Sequence, residues 1–237
     1  MVSGTSTKRS NARGARRAVA APELSRESLI DHALDLADRE GLDAVAIRRI
    51  ATDFGVTPMA LYWHVKNKDE LLDAMGDRIF QSLSIPPAGA DWLDQVRAAL
   101  VSLVDVLRRH PGSVDLAMAR VLLSPEGQLL AERTLGALRG AGFSVRQAAD
   151  LARQALFTAV MLVQGRPGAE IDTHEDERAA KTAAKTAAIA GLSTAQFPNL
   201  VDCAEALTNC DDEDAYYGGG IDLYVAGVEE LHRKAAR

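Results

Sequence analysis

Cysteine is almost missing from this chain, and its absence removes two classes of fold. Cys203 and Cys210 are the only two in 237 residues, a C-x6-C spacing without neighbouring Cys partners, which suits neither a zinc module nor a disulfide scaffold. They read as ordinary thiols in a reducing compartment. Long apolar runs are also absent: the stretches near 98–107 and 155–163 are short or interrupted, so no membrane span is expected. The N-terminus is basic, yet no apolar segment follows it, which argues against a secretory signal and for a cytoplasmic protein. Catalytic signatures are missing as well, with no GxSxG, HExxH, GxxxxGK[ST] or Cys/His cluster. The expectation is a chain that is not an enzyme and needs no cofactor or metal.

The charge is unevenly placed. Residues 1–83 hold 12 Lys/Arg against 12 Asp/Glu, whereas 84–237 hold 15 against 21, so the whole net charge of −6 falls in the second part. Within the first 20 residues Lys8, Arg9, Arg13, Arg16 and Arg17 meet no acidic side chain. This arm has the composition of a disordered tail, and it suits contact with phosphates or a minor groove.

Residues 45–68, VAIRRIATDFGVTPMALYWHVKNK, read as two short helices around a tight turn. Ile47, Ile50, Ala51 and Phe54 form one apolar face, and Gly55 stands where a helix end calls for positive φ. Thr57 is placed to cap the second helix, with Pro58 at its first position, where the missing N–H is harmless. This is a helix-turn-helix pattern, and its second helix is read as a DNA-recognition helix. Thr57, Pro58 and Met59 stand closest to the bases, Met59 offering only apolar contact to a thymine methyl or to local shape. Tyr62, His64 and Lys68 carry donors suited to phosphate oxygens. Trp63, beside Leu61 and Val65, is expected to be core filler.

The run LYWHVKNKDELLDAM at 61–75, preceded by a helix over 26–40 and the turn at Gly55, resembles the TetR family of bacterial transcriptional regulators, and LYWHVKNK resembles its tetracycline-repressor subgroup. The resemblance implies an all-α homodimer. An N-terminal three-helix helix-turn-helix DNA-binding domain would be joined to a C-terminal helical ligand-binding and dimerisation domain. It also matches Arg48 to a position that reaches into the major groove; read alone, Arg48 is equally a solvated surface arginine. The implied partners are palindromic double-stranded operator DNA and a small-molecule effector.

The chain divides accordingly into a basic arm at 1–23, a DNA-binding domain at 24–84 and an effector domain at 90–237, with Pro86-Pro87-Ala88-Gly89 as the break. Ser25 caps the first helix, and His32 within it reads as structural. A helix near 67–83 links the two parts. Helices follow at 92–110, about 113–121, 125–139, 144–165, about 194–208 and about 212–235, while 166–193 is a polar, Ala-rich segment that could form a surface helix, lacks a continuous apolar stripe and is expected to be mobile. Three glycines, Gly218 to Gly220, sit inside the last helix; Gly220 matches a family position, and the trio is read as a closely packed dimer interface.

By the same resemblance, helices near 144–165 and 212–235 from two subunits form the dimer interface, and the preceding helices surround an effector cavity. Leu103, Leu107, Met118, Arg120, Phe157, Met161 and Gln164 are its candidate lining, although core packing accounts for the apolar members equally well. The tetracycline repressor holds a magnesium–drug chelate through histidines and an acidic residue. Here Ala117, Leu156 and Gln164 fall near those places, and no histidine occurs between His110 and His174. A mainly apolar effector without a metal is therefore expected. The anticipated activity is repression relieved by that effector; the alternatives are an activator or a ligand-insensitive DNA binder.

Overall fold

The computed structural model describes residues 24–87, 89–168 and 175–235, so the basic arm lies outside the described residues. Among them the secondary structure is entirely helical. Helix α1 (Arg26–Glu40) begins at a reciprocal cap in which Ser25 accepts from the Ser28 N–H and Ser28 accepts from the Ser25 N–H. It buries Leu29, Ala33, Leu36 and Ala37 and packs on α2 (Ile47–Phe54) and α4 (Lys68–Phe80), while α3 (Pro58–Leu61) packs on α2. Gly55 closes α2 at φ 67° and ψ 26°, the left-handed geometry in which a side chain would be strained. Asn67 starts α4 by accepting from the Glu70 N–H at 2.8 Å.

Helices α5 (Trp92–Leu107), α6 (Val114–Arg120), α7 (Pro125–Gly140) and α8 (Val145–Gln164) form a bundle completed by α12 (Glu213–Ala235). The cap of α8 is reciprocal, Ser144 with Gln147, as its sequence spelling demands. Leu100, Leu103, Val104 and Leu107 of α5 belong to an apolar cluster that also contains Leu29, Leu36, Met75 and Phe80, so packing runs uninterrupted past the Pro86–Gly89 break. Burying each such leucine stabilises the fold by roughly 1.5–3 kcal/mol before entropy is charged against it.

Two polar junctions fix the first four helices on the bundle. Asp38 near the end of α1 accepts from the Gly112 N–H at 3.1 Å and pairs with His110 Nδ1 at 2.9 Å. The approach there is so close that a Cβ on Gly112 would stand 1.9 Å from the Ala37 carbonyl oxygen. At the second junction, the Arg120 side chain crosses Gly76 of α4 and its guanidinium pairs with Asp73, while Arg120 Nε is buried without a hydrogen-bond partner.

The C-terminal part adds detail to two expectations and changes a third. The segment expected to be mobile contains a 16-residue helix, α9 (Glu175–Ala190), consistent with its alanine content, and residues 169–174 lie outside the described residues. The single helix expected near 194–208 is two, α10 (Pro198–Asp202) and α11 (Ala204–Thr208), which pack with α9 chiefly on one another. Within α12 the glycines are absorbed into a continuous helix. Gly220 approaches α8 of its own chain, where a Cβ would stand 2.3 Å from a Leu162 methyl, whereas Gly218 and Gly219 have no neighbour within 4 Å.

Candidate DNA interface and effector cavity

The recognition segment is a short helix followed by a turn, and its outward side is unusually apolar. Thr57, Pro58 and Met59 are exposed, as are Tyr62 and Lys68, while His64 is half-buried. Thr57 occupies the capping position, but its hydroxyl makes no capping bond, contrary to the sequence reading. Thr57 is exposed on the open surface.

Trp63 is the clearest correction: it is 87% exposed, whereas Leu61 and Val65 are buried. Leu61 ends α3 and the Val65 N–H closes the following turn on the Leu61 carbonyl at 3.0 Å, so both side chains enter the core while Trp63 stands on the outer side of the turn. The turn leaves Met59, Tyr62 and Trp63 as an apolar patch on the segment expected to meet DNA.

Neighbouring arginines in α2 have different work. Arg49 is occupied, donating to both Glu40 carboxylate oxygens at 2.8 and 3.1 Å and to Asp53 at 3.2 Å. Arg48 is exposed, and its guanidinium has no hydrogen bond or ion pair among the described residues. His32 fits its structural reading, bonding Asp53 at 3.0 Å and standing edge-on to Phe54.

The turn after α3 is held from below by two residues absent from the sequence reading of the site. Glu70 accepts from the Lys66 N–H at 2.8 Å and from Arg26 at 3.1 Å, and Arg26 also donates to the His64 carbonyl. Chiefly through the Lys66 N–H, the Glu70 carboxyl is held below its ordinary pKa. Glu70 is the third residue of α4, a place from which a glutamate commonly reaches back across a helix start, and that was a usable signal.

Inside the bundle, a cavity of about 280 Å³ lies between α5, α7, α8 and the turn after α6. Leu103, Leu122, Leu130, Thr134, Arg153 and Leu156 contribute to its wall. Of the seven expected ligand residues, Leu103 alone lines this cavity. Leu107 is fully buried in the core, Met118 and Met161 are largely exposed, Phe157 is half-buried, and Arg120 faces α4. Gln164 donates to Asp115 at 2.7 Å, which satisfies the polar group that made it a candidate. The cavity lies against Ala149 to Leu156, in the first part of α8, while Phe157, Met161 and Gln164 lie beyond it.

The sequence pattern matches two family descriptions. One, "Bacterial regulatory proteins, tetR family", covers residues 29–75; the other, "Tetracyclin repressor-like, C-terminal domain", covers 85–232. The chain belongs to the TetR family. Among TetR relatives it is 28% identical over 208 residues to an HTH-type transcriptional regulator of Saccharopolyspora erythraea, covering 87% of this chain and 85% of that one. It is 29% identical over 220 residues to the class C tetracycline repressor protein of Escherichia coli, covering 88% and 92%. The fold is similar to the crystal structure of the Streptomyces coelicolor TetR family protein ActR in complex with actinorhodin, with TM-score 0.66, 28% identity and coverage of 87% and 96%.

Seen in a TetR regulator, the missed cavity residues did leave a trace. Gly127, Leu130, Ala131 and Thr134 on α7, and Ala149, Ala152, Arg153 and Leu156 on α8, both follow i, i+3, i+4, i+7. Small residues recur in both stripes, and small side chains facing each other leave space. None of the described helices is long and apolar enough to cross a membrane.

Proposed function

We propose that this TetR regulator is a cytoplasmic, homodimeric repressor whose residues 24–84 bind a palindromic operator and whose residues 90–237 bind a compact, mainly apolar effector that releases it. The observation carrying this reading is the path from cavity to recognition segment. Leu122 lines the cavity two residues after Arg120. Arg120 lies over Gly76 and pairs with Asp73 of α4, and the first turn of α4 holds the recognition turn through Glu70. A ligand pressing on Leu122 therefore acts on a set of contacts that ends at the Lys66 N–H and, through Arg26, at the His64 carbonyl. Its effect is to favour a spacing of the two recognition helices that no longer fits half-sites about 34–36 Å apart.

The DNA contacts assigned are Arg48, Thr57, Pro58, Met59, Tyr62, His64 and Lys68, joined by Trp63. The dimer forms through α8 and α12, whose Met161, Leu223 and Leu231 are exposed in the single chain. Similarity to an actinorhodin-bound relative supports a cavity that takes small molecules. The test is binding of the purified protein to DNA from its own upstream intergenic region, with and without hydrophobic compounds. Release by one compound supports the repressor reading; specific binding that no compound disturbs removes the effector, and absence of specific binding removes the operator.

A further inference from the structure

We infer that the effector is an apolar acid, its anionic group taken by Arg153 at the rim of the cavity. This inference rests on the cavity being the effector site. The wall is built from alanine, leucine, valine and glycine, with two polar members, Thr134 and Arg153. Thr134 is buried and its hydroxyl is already committed as a donor to the Leu130 carbonyl at 2.8 Å, so it offers a ligand only its lone pairs. Arg153 is thus the donor available to a ligand from the wall, and the wall's one charge.

The guanidinium is not used up by the fold. Its partner among the described residues is Asp150, bonded to Nη1 at 3.2 Å, an exposed i, i+3 pair of the kind that contributes little. Nε and Nη2 remain, the pair of donors with which arginine holds a carboxylate or sulfonate in two parallel bonds. Asp150 is itself shared with Arg146 at 3.1 Å, so this stretch of α8 carries two arginines to one aspartate. Among the described residues, no acidic one lines the cavity to oppose an anion. A neutral polar ligand would bring groups that this wall cannot satisfy, whereas an apolar body with one acid at its edge leaves nothing unpaired. The volume, about 280 Å³, sits near the lower end for small-molecule sites and favours a compact body.

A matched pair of fluorescent probes isolates the charge: 8-anilinonaphthalene-1-sulfonate and its neutral parent, N-phenyl-1-naphthylamine. The full-length protein is expected to bind the sulfonate at least about tenfold more tightly than the parent. Arg153→Gln should abolish that preference while leaving the parent's affinity unchanged, and Arg153→Lys should retain part of it. Ala152→Phe, with folding checked by circular dichroism, fills the cavity and should weaken both probes. If both probes bind alike, are both lost in Ala152→Phe and ignore Arg153→Gln, the cavity stands and the acid is wrong. If Ala152→Phe is folded and affects neither probe, or neither probe binds the native protein, the cavity reading fails and the acid with it.

Discussion

Arg120 of α6 lies across Gly76 of α4 so closely that a Cβ on the glycine would be 3.0 Å from Arg120 Cδ and 3.3 Å from its Cβ. The side chain concerned is flexible, so Gly76→Ala is expected to fold. The substituted helix gains up to about 1 kcal/mol in intrinsic propensity, which offsets the crowding. The effect should appear in regulation instead. With Arg120 displaced from Asp73, operator binding without effector should change less than about threefold, while the effector concentration giving half release shifts by about fivefold or more. Fluorescence anisotropy of labelled operator, titrated with an inducing compound, measures both; an unchanged half-release concentration refutes the link.

The two arginines of α2 should separate recognition from stability. Arg48→Ala is expected to weaken operator binding by about 1–3 kcal/mol and leave the urea midpoint in place. Arg49→Ala breaks the contacts to Glu40 and Asp53, and should lower the midpoint while altering operator affinity less than Arg48→Ala does. Equal effects of the two variants on both measurements would contradict the assignment.

Trp63 provides an optical test of the exposed patch. Its indole should be quenched readily by acrylamide in the free protein and protected when operator is added, whereas half-buried Trp92, stacked near Phe143 and His232, should respond little. A Trp92→Phe variant leaves Trp63 as the remaining tryptophan. Quenching unaffected by operator would exclude Trp63 from the interface.

Acid should release the His32–Asp53–Arg49 cluster. The Asp53 carboxyl is held below its ordinary value of 3.8, first by the hydrogen bond from His32 and then by Arg49. A carboxyl whose folded pKa is lowered contributes stability above its unfolded pKa and loses it as pH falls through the folded one. Urea midpoints between pH 7 and pH 2 should therefore fall less steeply below about pH 4 in Asp53→Asn than in the native protein, with the variant weaker at pH 7. Parallel curves would show that Asp53 carries no such linkage.

Gly112→Ala is the substitution expected to harm the fold most. Its Cβ would meet the Ala37 carbonyl oxygen at 1.9 Å and Asp38 Cα at 2.8 Å, and backbone on backbone cannot relax as a side chain can. A loss of about 3 kcal/mol, or roughly 6–12 °C in melting temperature, is expected by differential scanning calorimetry. A melting temperature within about 1 °C of native would mean that the junction between α1 and the bundle yields easily.

What the sequence disclosed followed local chemistry. Ser25, Gly55, Asn67, Ser144 and Gln147 mark helix ends through bonds to their own neighbours, and those ends lie where the spelling places them. Hydrophobicity alone does not disclose the exposure of Trp63: Leu61 and Val65 take the buried side of the turn and leave none for it. The cavity was illegible for a different reason. Leu103 and Leu107 are four residues apart on one helix, and only the packing of α7 and α8 decides that the first borders open space while the second is sealed in the core. Arg120 pairs with Asp73, 47 positions earlier in the chain, a relationship that no local pattern spells.

The trio α9 to α11 packs chiefly on itself, with the Thr186 and Thr208 hydroxyls 2.6 Å apart as an internal tie and few of its side chains buried. A stretch that shares so little with the bundle carries little of the packing energy that holds the bundle together. Changes of its length or sequence should therefore leave the packing of α8 on α12 in place, which makes it a site where an insertion or a tag can be carried without disturbing the fold.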